Sequence, residues 1–410
     1  METRDPSLSS SSQQPEYRFL TEFQSHESEF DYLKSQEIEE KINQIAWCKR
    51  VNDSLLLLST NDKTIKLWKI HEKTVRVAAL LNVEVGRYGG RMPVPQLRIP
   101  SLVKREAQTV ASPRRVFSNA HAYHINSISV NSDGSTFLSA DDLRVNIWDL
   151  EHAKLSFNIV DMKPPTLEEL TEVITAATFH PQHSHIFMFS SSRGSIKIGD
   201  MREAALCDHH TRQLHEEPDL TPKTYFSELI ATVTDVEFSH DGRYVIARDY
   251  LSVKIWDLAM EGKGPVSVAQ VHEQLRPKLN ELFDSECIFD RFRVSSSRDG
   301  RQVLTGSYNN CCKFYDTIAG TETTVELSKA RPKSSVVRNV NCSPGQDLST
   351  IATGEEDGMS DSDSLAIDYS RKVLHCSWHP HEDIVAVAGL NDLFIYSKEK
   401  NMSGMSSFYE

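Results

Sequence analysis

The chain has 410 residues, 39% of them hydrophobic and 25% charged, which fits a folded water-soluble protein rather than a disordered or fibrous one. Its formal charge of −13, from 45 Lys+Arg against 58 Asp+Glu, argues against a general nucleic-acid binder and suits a basic partner surface or a basic peptide. No apolar run reaches the roughly 18 residues of a membrane span, no signal-peptide core is expected at the N-terminus, and the seven cysteines contain no CxxC pair, which excludes a disulfide frame and reads as a reduced cytosolic or nuclear protein.

In chain order, residues 1–15 form a Ser-rich tail, "METRDPSLSSSSQQP", expected to be disordered. A single strand is expected near Tyr17–Phe23. Then one grammar recurs six times. It starts at Ile42 ("INQIAWCKRVNDSLLLLSTNDKTIKLWKI"), Ile125 ("INSISVNSDGSTFLSADDLRVNIWDL"), Ile174 ("ITAATFHPQHSHIFMFSSSRGSIKIGDM"), Val233 ("VTDVEFSHDGRYVIARDYLSVKIWDL"), Phe289 ("FDRFRVSSSRDGRQVLTGSYNNCCKFYD") and Val373 ("VLHCSWHPHEDIVAVAGLNDLFIYSK"). In each copy a short alternating strand is followed by a polar turn, an apolar second strand ending in small residues, and a tight turn into a third alternating strand. The third strand closes on Trp68, Trp148, Gly199, Trp256, Tyr315 or Tyr396. These positions lie further apart than the roughly 40 to 45 residues of a WD repeat, so a fourth strand and long connections must fill the excess. Repeated four-stranded units predict an all-β fold, a WD-repeat β-propeller, because no blade can bury both faces alone.

Two segments exceed the repeat. Residues 71–110 alternate on either side of a Gly/Pro-rich tip and predict a protruding hairpin arm. Residues 319–364 are polar and poor in aromatics and predict a mobile insertion. Residues 399–410 form a C-terminal tail after a propeller spanning 16–398.

The paired Asp141–Asp142 decides between enzyme and scaffold. In WD-type blades the turn before the third strand holds an acid that is bonded to a His and a Ser/Thr. Asp142 lies six residues before Trp148, as Asp62 does before Trp68, with His121 and Ser139 in order upstream. This predicts Asp142 as the tie of the turn and leaves Asp141 to face the cleft or the solvent. No P-loop, GxGxxG, HExxH or GxSxG is present. His209–His210 in "CDHHTRQLHEE" read as a polar loop rather than a metal site. Ser360 in "EEDGMSDSDS" is a candidate phosphorylation site in an acidic loop.

"EFQSHESEFDYLKSQEIEEKIN" (22–43), "NAHAYHINSISVNSDG" (119–134), "LSADDLRVNIWDLE" (138–151), "SFNIVDMKPPTLEELTEVITAATFHP" (156–181) and "FSHDGRYVIARDYLSVKIWDL" (238–258) closely resemble the B-type, WD-repeat regulatory subunit of protein phosphatase 2A. The resemblance implies a seven-bladed propeller without catalytic residues, cofactor or metal. It would assemble with a helical-repeat scaffold (A) subunit and a catalytic (C) subunit, in the cytoplasm and also the nucleus, and present phosphoproteins with basic segments. Its arm would reach the scaffold, although "VAALLNVEVGRYGGRMPVPQ" departs from the family's acidic stretch. Carried over by motif, the substrate groove would use Glu39, Glu40 and Lys41, Tyr123 and His124, Asp142, and Leu170 and Val173. Carboxylates there would hold basic side chains and the two aliphatics would form an apolar ledge. Phe30, Tyr32 and Leu33 would be apolar anchors toward the scaffold or a substrate helix, against a bland reading as core under the next loop. Family members carry a full first blade before the string matching "EYRFLTEFQSHE", so the sequence predicts a first blade reduced to its last strand. A general WD-repeat adaptor, such as a ubiquitin-ligase substrate receptor, is the alternative.

Overall fold

The computed structural model describes residue 17 and residues 19–398, except 33–34, 51–53, 79–82, 86–90, 94–101, 209–210, 215–224, 261, 263, 328–335 and 340–366, together with 408–409. The expected all-β propeller is what forms, as six successive antiparallel sheets. They divide between two compact units, residues 1–119 and 120–410.

In the first unit, β1 (Glu29–Asp31) and β2 (Gln36–Ile38) make a short hairpin. The first blade follows from β3 (Gln44–Trp47), β4 (Leu55–Thr60), β5 (Ile65–Ala78) and, after the small pair β6 (Val83–Val85) and β7 (Arg91–Pro93), β8 (Leu102–Phe117). β5 and β8 pair from Ile65↔Phe117 out to Ala78↔Leu102, with bulges near Trp68 and Thr74. Leu57, Trp68 and Ile70 are buried, with Phe23 packed 4.7 Å from the Trp68 ring. Among the described residues the strand expected near Tyr17–Phe23 does not form: residues 19–28 run as irregular chain. Their side chains serve the blade instead. Ser25 bonds Ser59 at 2.6 Å, and His26 Nε2 bonds the Thr64 carbonyl at 3.1 Å.

The second unit holds five blades. They are β9 (Ser127–Val130), β10 (Thr136–Ala140), β11 (Arg144–Asp149) and β12 (Ser156–Asp161); β13 (Ile174–Phe179), β14 (Ile186–Ser191), β15 (Ile196–Asp200) and β16 (Thr211–Leu214); and, after α1 (Tyr225–Ala231), β17 (Asp235–Phe238), β18 (Tyr244–Arg248), β19 (Ser252–Asp257) and β20 (Ser267–Gln270). After a helical connection that includes α2 (Leu279–Asp284) come β21 (Val294–Ser296), β22 (Gln302–Gly306), β23 (Cys311–Asp316), β24 (Thr321–Glu326) and β25 (Val336–Asn339), and last β26 (His375–Trp378), β27 (Ile384–Gly389), β28 (Asp392–Lys398) and β29 (Phe408–Tyr409). The insertion expected from 319 starts too early, because β24 and β25 continue the fifth blade's sheet. Most of what remains of it, with Ser360, lies outside the described residues.

The apolar layers lie between blades, so the second strands β10, β14, β18 and β22 read as buried runs rather than alternating ones. Leu138, Val145 and Val160 of one blade meet Ile174, Phe187 and Phe189 of the next. Met188 and Ile196 then meet Val236, Val245 and Trp256. Gly199 stands where other blades have Trp or Tyr because a Cβ there would lie 2.7 Å from the Phe187 ring, which already fills that space.

The first strand of each blade would leave free backbone N–H groups. At β13, β21 and β26 side chains of the preceding blade take some of them. Ala177 and Phe179 donate to Ser127 Oγ and Ser129 Oγ, at 2.9 and 3.0 Å. Val294 and Ser296 donate to Asp235 and Glu237, at 2.9 and 3.1 Å. This accounts for acids and serines on strands that pattern alone would make apolar.

Candidate functional site

The site begins at the β10–β11 turn. Asp141 is fully buried. Its carboxylate accepts the backbone N–H of Leu143 (2.8 Å) and Arg144 (2.7 Å) and the Nδ1–H of His121 (3.0 Å). That leaves His121 Nε2 to accept from the Ser139 hydroxyl at 2.6 Å, and Ser139 Oγ to accept from Trp148 Nε1 at 2.8 Å. Every polar atom of this buried chain is used. Burial works to raise the Asp141 carboxyl, but His121 and the two amides outweigh it and hold it below the carboxylate range.

The tie is therefore Asp141, and the expectation for Asp142 is corrected. The acceptor sits seven residues before the tryptophan. Asn61 occupies the same place before Trp68 and accepts from the amides of Lys63 and Thr64, while Asp62 accepts from Asn43 instead. Asp249 does the same before Trp256, with Leu251 and Ser252.

Asp142 is released from the turn and half-buried. Burial raises its carboxyl above the usual range. The exposed Arg291 pulls it back, Asp141 adds to the rise, and His124 opposes it. Its backbone carbonyl accepts the Ile174 amide at 2.7 Å, which brings Val173 beside the turn. Val173 and Leu170 are half-buried, and Leu170 follows a 3-10 turn at Leu167–Glu169. Tyr123 is half-buried and His124 exposed in the chain leading to β9. The second unit thus gathers Asp142, His124 and Val173, and adds Arg291, which no local sequence signal tied to this turn.

Glu39, Glu40 and Lys41 follow β2 in the first unit, and the Glu39 carbonyl accepts from Asn61 Nδ2 at 3.3 Å. Phe30 lies within β1 and Tyr32 directly after it, 50% and 86% exposed, their rings edge-to-face at 5.1 Å. Leu33, like His209 and His210, lies outside the described residues. Among the described residues no group of three or more His, Cys, Asp or Glu side chains is placed to hold a metal ion.

Residues 111–149 match the WD domain, G-beta repeat family. The chain is 44% identical to a serine/threonine-protein phosphatase 2A regulatory subunit of Dictyostelium discoideum, over 97% of this chain and 89% of that protein. It is 49% identical to the B-type regulatory subunit of protein phosphatase PP2A from Schizosaccharomyces pombe, over 93% of this chain and 86% of that protein. This chain belongs to the family of B-type regulatory subunits of protein phosphatase 2A, regulators and not catalysts.

Proposed function

We propose that this regulatory subunit joins the phosphatase's scaffold and catalytic subunits and selects phosphoproteins whose docking segments pair basic with apolar side chains. The β5–β8 hairpin contacts the scaffold. Asp142, with Leu170 and Val173 beside it, receives the docking segment. The observation that carries this reading is the division of labour at the turn. The Asp141 side chain makes the side-chain hydrogen bonds of the turn, so the half-buried Asp142 carboxylate is left to a cation. A carboxylate raised by burial is stabilised when a cation arrives.

The test is reconstitution with scaffold and catalytic subunits, followed by turnover of a phosphopeptide with basic flanks and of its neutralised counterpart. Asp142→Lys should lower kcat/KM for the basic peptide by roughly tenfold, about 1.4 kcal/mol, while the neutral peptide and assembly stay unchanged. An equal fall on both peptides overturns the groove. Failure of the unaltered chain to assemble overturns the phosphatase role of this chain.

A further inference from the structure

Apart from the 3-10 turn, residues 163–173 form no helix or strand, yet they carry Leu170 and Val173. Their C-terminal end is clamped between two blades. On one side the Ile174 amide donates to the Asp142 carbonyl at 2.7 Å, and Asn126 Nδ2 donates to the Ile174 carbonyl at 2.9 Å. On the other side Val173 and Ser192 exchange two bonds. The Val173 amide donates to Ser192 Oγ at 3.1 Å, and the Ser192 amide donates to the Val173 carbonyl at 2.9 Å. Ser192 is itself fixed, because its carbonyl accepts from Thr232 Oγ1 at 2.9 Å. Its turn is held by Gly194, at φ +80°, where a Cβ would lie 2.7 Å from the Ala231 carbonyl oxygen.

Glu172 completes the clamp. Its Oε1 accepts from Lys197 Nζ at 2.6 Å, and Oε2 lies 3.4 Å from the Ser195 hydroxyl. The Lys197 and Glu172 side chains are only 17% and 18% exposed. The Lys197 ammonium also lies 5.8 Å from the centre of the Phe189 ring. An ion pair this secluded is expensive to desolvate, and an apolar pair of similar volume would stabilise the fold as well or better. What the pair adds is a fixed geometry for the residue between Leu170 and Val173, two aliphatics that stay half-exposed.

We propose that Glu172 and Lys197 are positioning residues for the apolar ledge. The pair holds Leu170 and Val173 at a set place beside Asp142, so that the apolar part of a docking segment is recognised only while the pair is intact. This inference rests on the groove reading above.

The test uses the full chain and short fluorescein-labelled phosphothreonine peptides that carry two arginines and either two valines or two serines. The double variant Glu172→Gln, Lys197→Met removes the pair and leaves no buried charge alone. It should raise Kd for the valine peptide about fivefold and leave the serine peptide within about twofold. Hydrogen exchange at the Val173 and Ser192 amides should quicken, with the thermal midpoint unchanged. The charge-swapped variant Glu172→Lys, Lys197→Glu should recover part of the loss. If the unaltered chain prefers the valine peptide and the double variant weakens neither peptide, or both equally, the positioning role is overturned. A fall for both peptides together with a lower midpoint overturns it in favour of a purely structural pair. If the unaltered chain binds both peptides alike, it is the ledge of the groove reading that fails.

Discussion

Asp141 and Asp142 are neighbours in the chain with opposite duties. Asp141 accepts three hydrogen bonds in a buried turn, so Asp141→Ala strands the His121 Nδ1–H and two amides. That should cost about 2–4 kcal/mol in urea unfolding. Asp142→Ala removes a carboxyl that burial already disfavours and should change stability by less than about 0.5 kcal/mol. Reversed costs would show that the turn is tied by Asp142 after all. The presence of a tied turn is legible in the sequence, but its register is not. Searching for aspartate finds Asp62 and Asp142 at a common offset and passes over Asn61. Yet an amide oxygen accepts from the turn amides as a carboxylate does. Comparing acceptors rather than acids aligns Asn61, Asp141 and Asp249, and the tie falls one residue earlier.

Among the elements, the first three strands of each blade are legible because the apolar pattern is strong and recurs from blade to blade. The outer strands are not. The β24 string "TETTVE" is half-exposed along nearly its whole length, and by pattern it reads as part of a polar insertion. The helical connection at 273–289 carries no clearer signal. It packs Leu275, Leu282 and Ile288 over Tyr250 and Phe292, a cluster whose spacing is irregular in sequence. Blades that share a pattern also differ in wiring. Val245 pairs with Trp256 as Phe137 pairs with Trp148, but Ala247 stands where Ser139 supplies an acceptor. The Trp256 Nε1–H is buried and makes no hydrogen bond, whereas Trp148 donates to Ser139. Both Trp→Phe changes lose buried ring surface, but only Trp148→Phe breaks a hydrogen bond. Trp148→Phe should therefore cost about 1 kcal/mol more than Trp256→Phe in chemical denaturation. Equal costs would mean that the indole bond contributes nothing to its blade.

For the whole molecule, groups displaced in opposite directions set the pH at which the fold is most stable. Burial, with Lys66 adding to it and the Thr64 carbonyl opposing, holds His26 down to about 4 from 6.5. Burial likewise lowers His180 and His272. As pH falls through 6.5 the unfolded chain protonates these three histidines before the folded chain does, so stability is lost on the acid side. Glu237 acts the other way. Burial raises it from 4.5 to about 8, Asp235 adds to the rise, and the Ser296 hydrogen bonds oppose it. Between those values the folded chain keeps a proton that the unfolded chain has released, so stability is lost as pH rises. From about 4.5 to 6.5 His26 and His272, helped by His180, outweigh one glutamate and stability climbs with pH, with the raised Asp142 opposing only at the acid end. From about 6.5 to 8 Glu237 acts without them and stability declines. At lower pH the depressed carboxyls of Asp141, Glu172 and Asp200 lose their partners and steepen the fall. Urea unfolding from about pH 5 to about pH 8.5 should therefore peak near pH 6.5. Glu237→Gln should flatten the alkaline limb and leave the acid limb in place, because a neutral amide can still accept the Ser296 amide. A glutamine variant that keeps the alkaline decline would show that the proton is held elsewhere than between the first strands of the fourth and fifth blades.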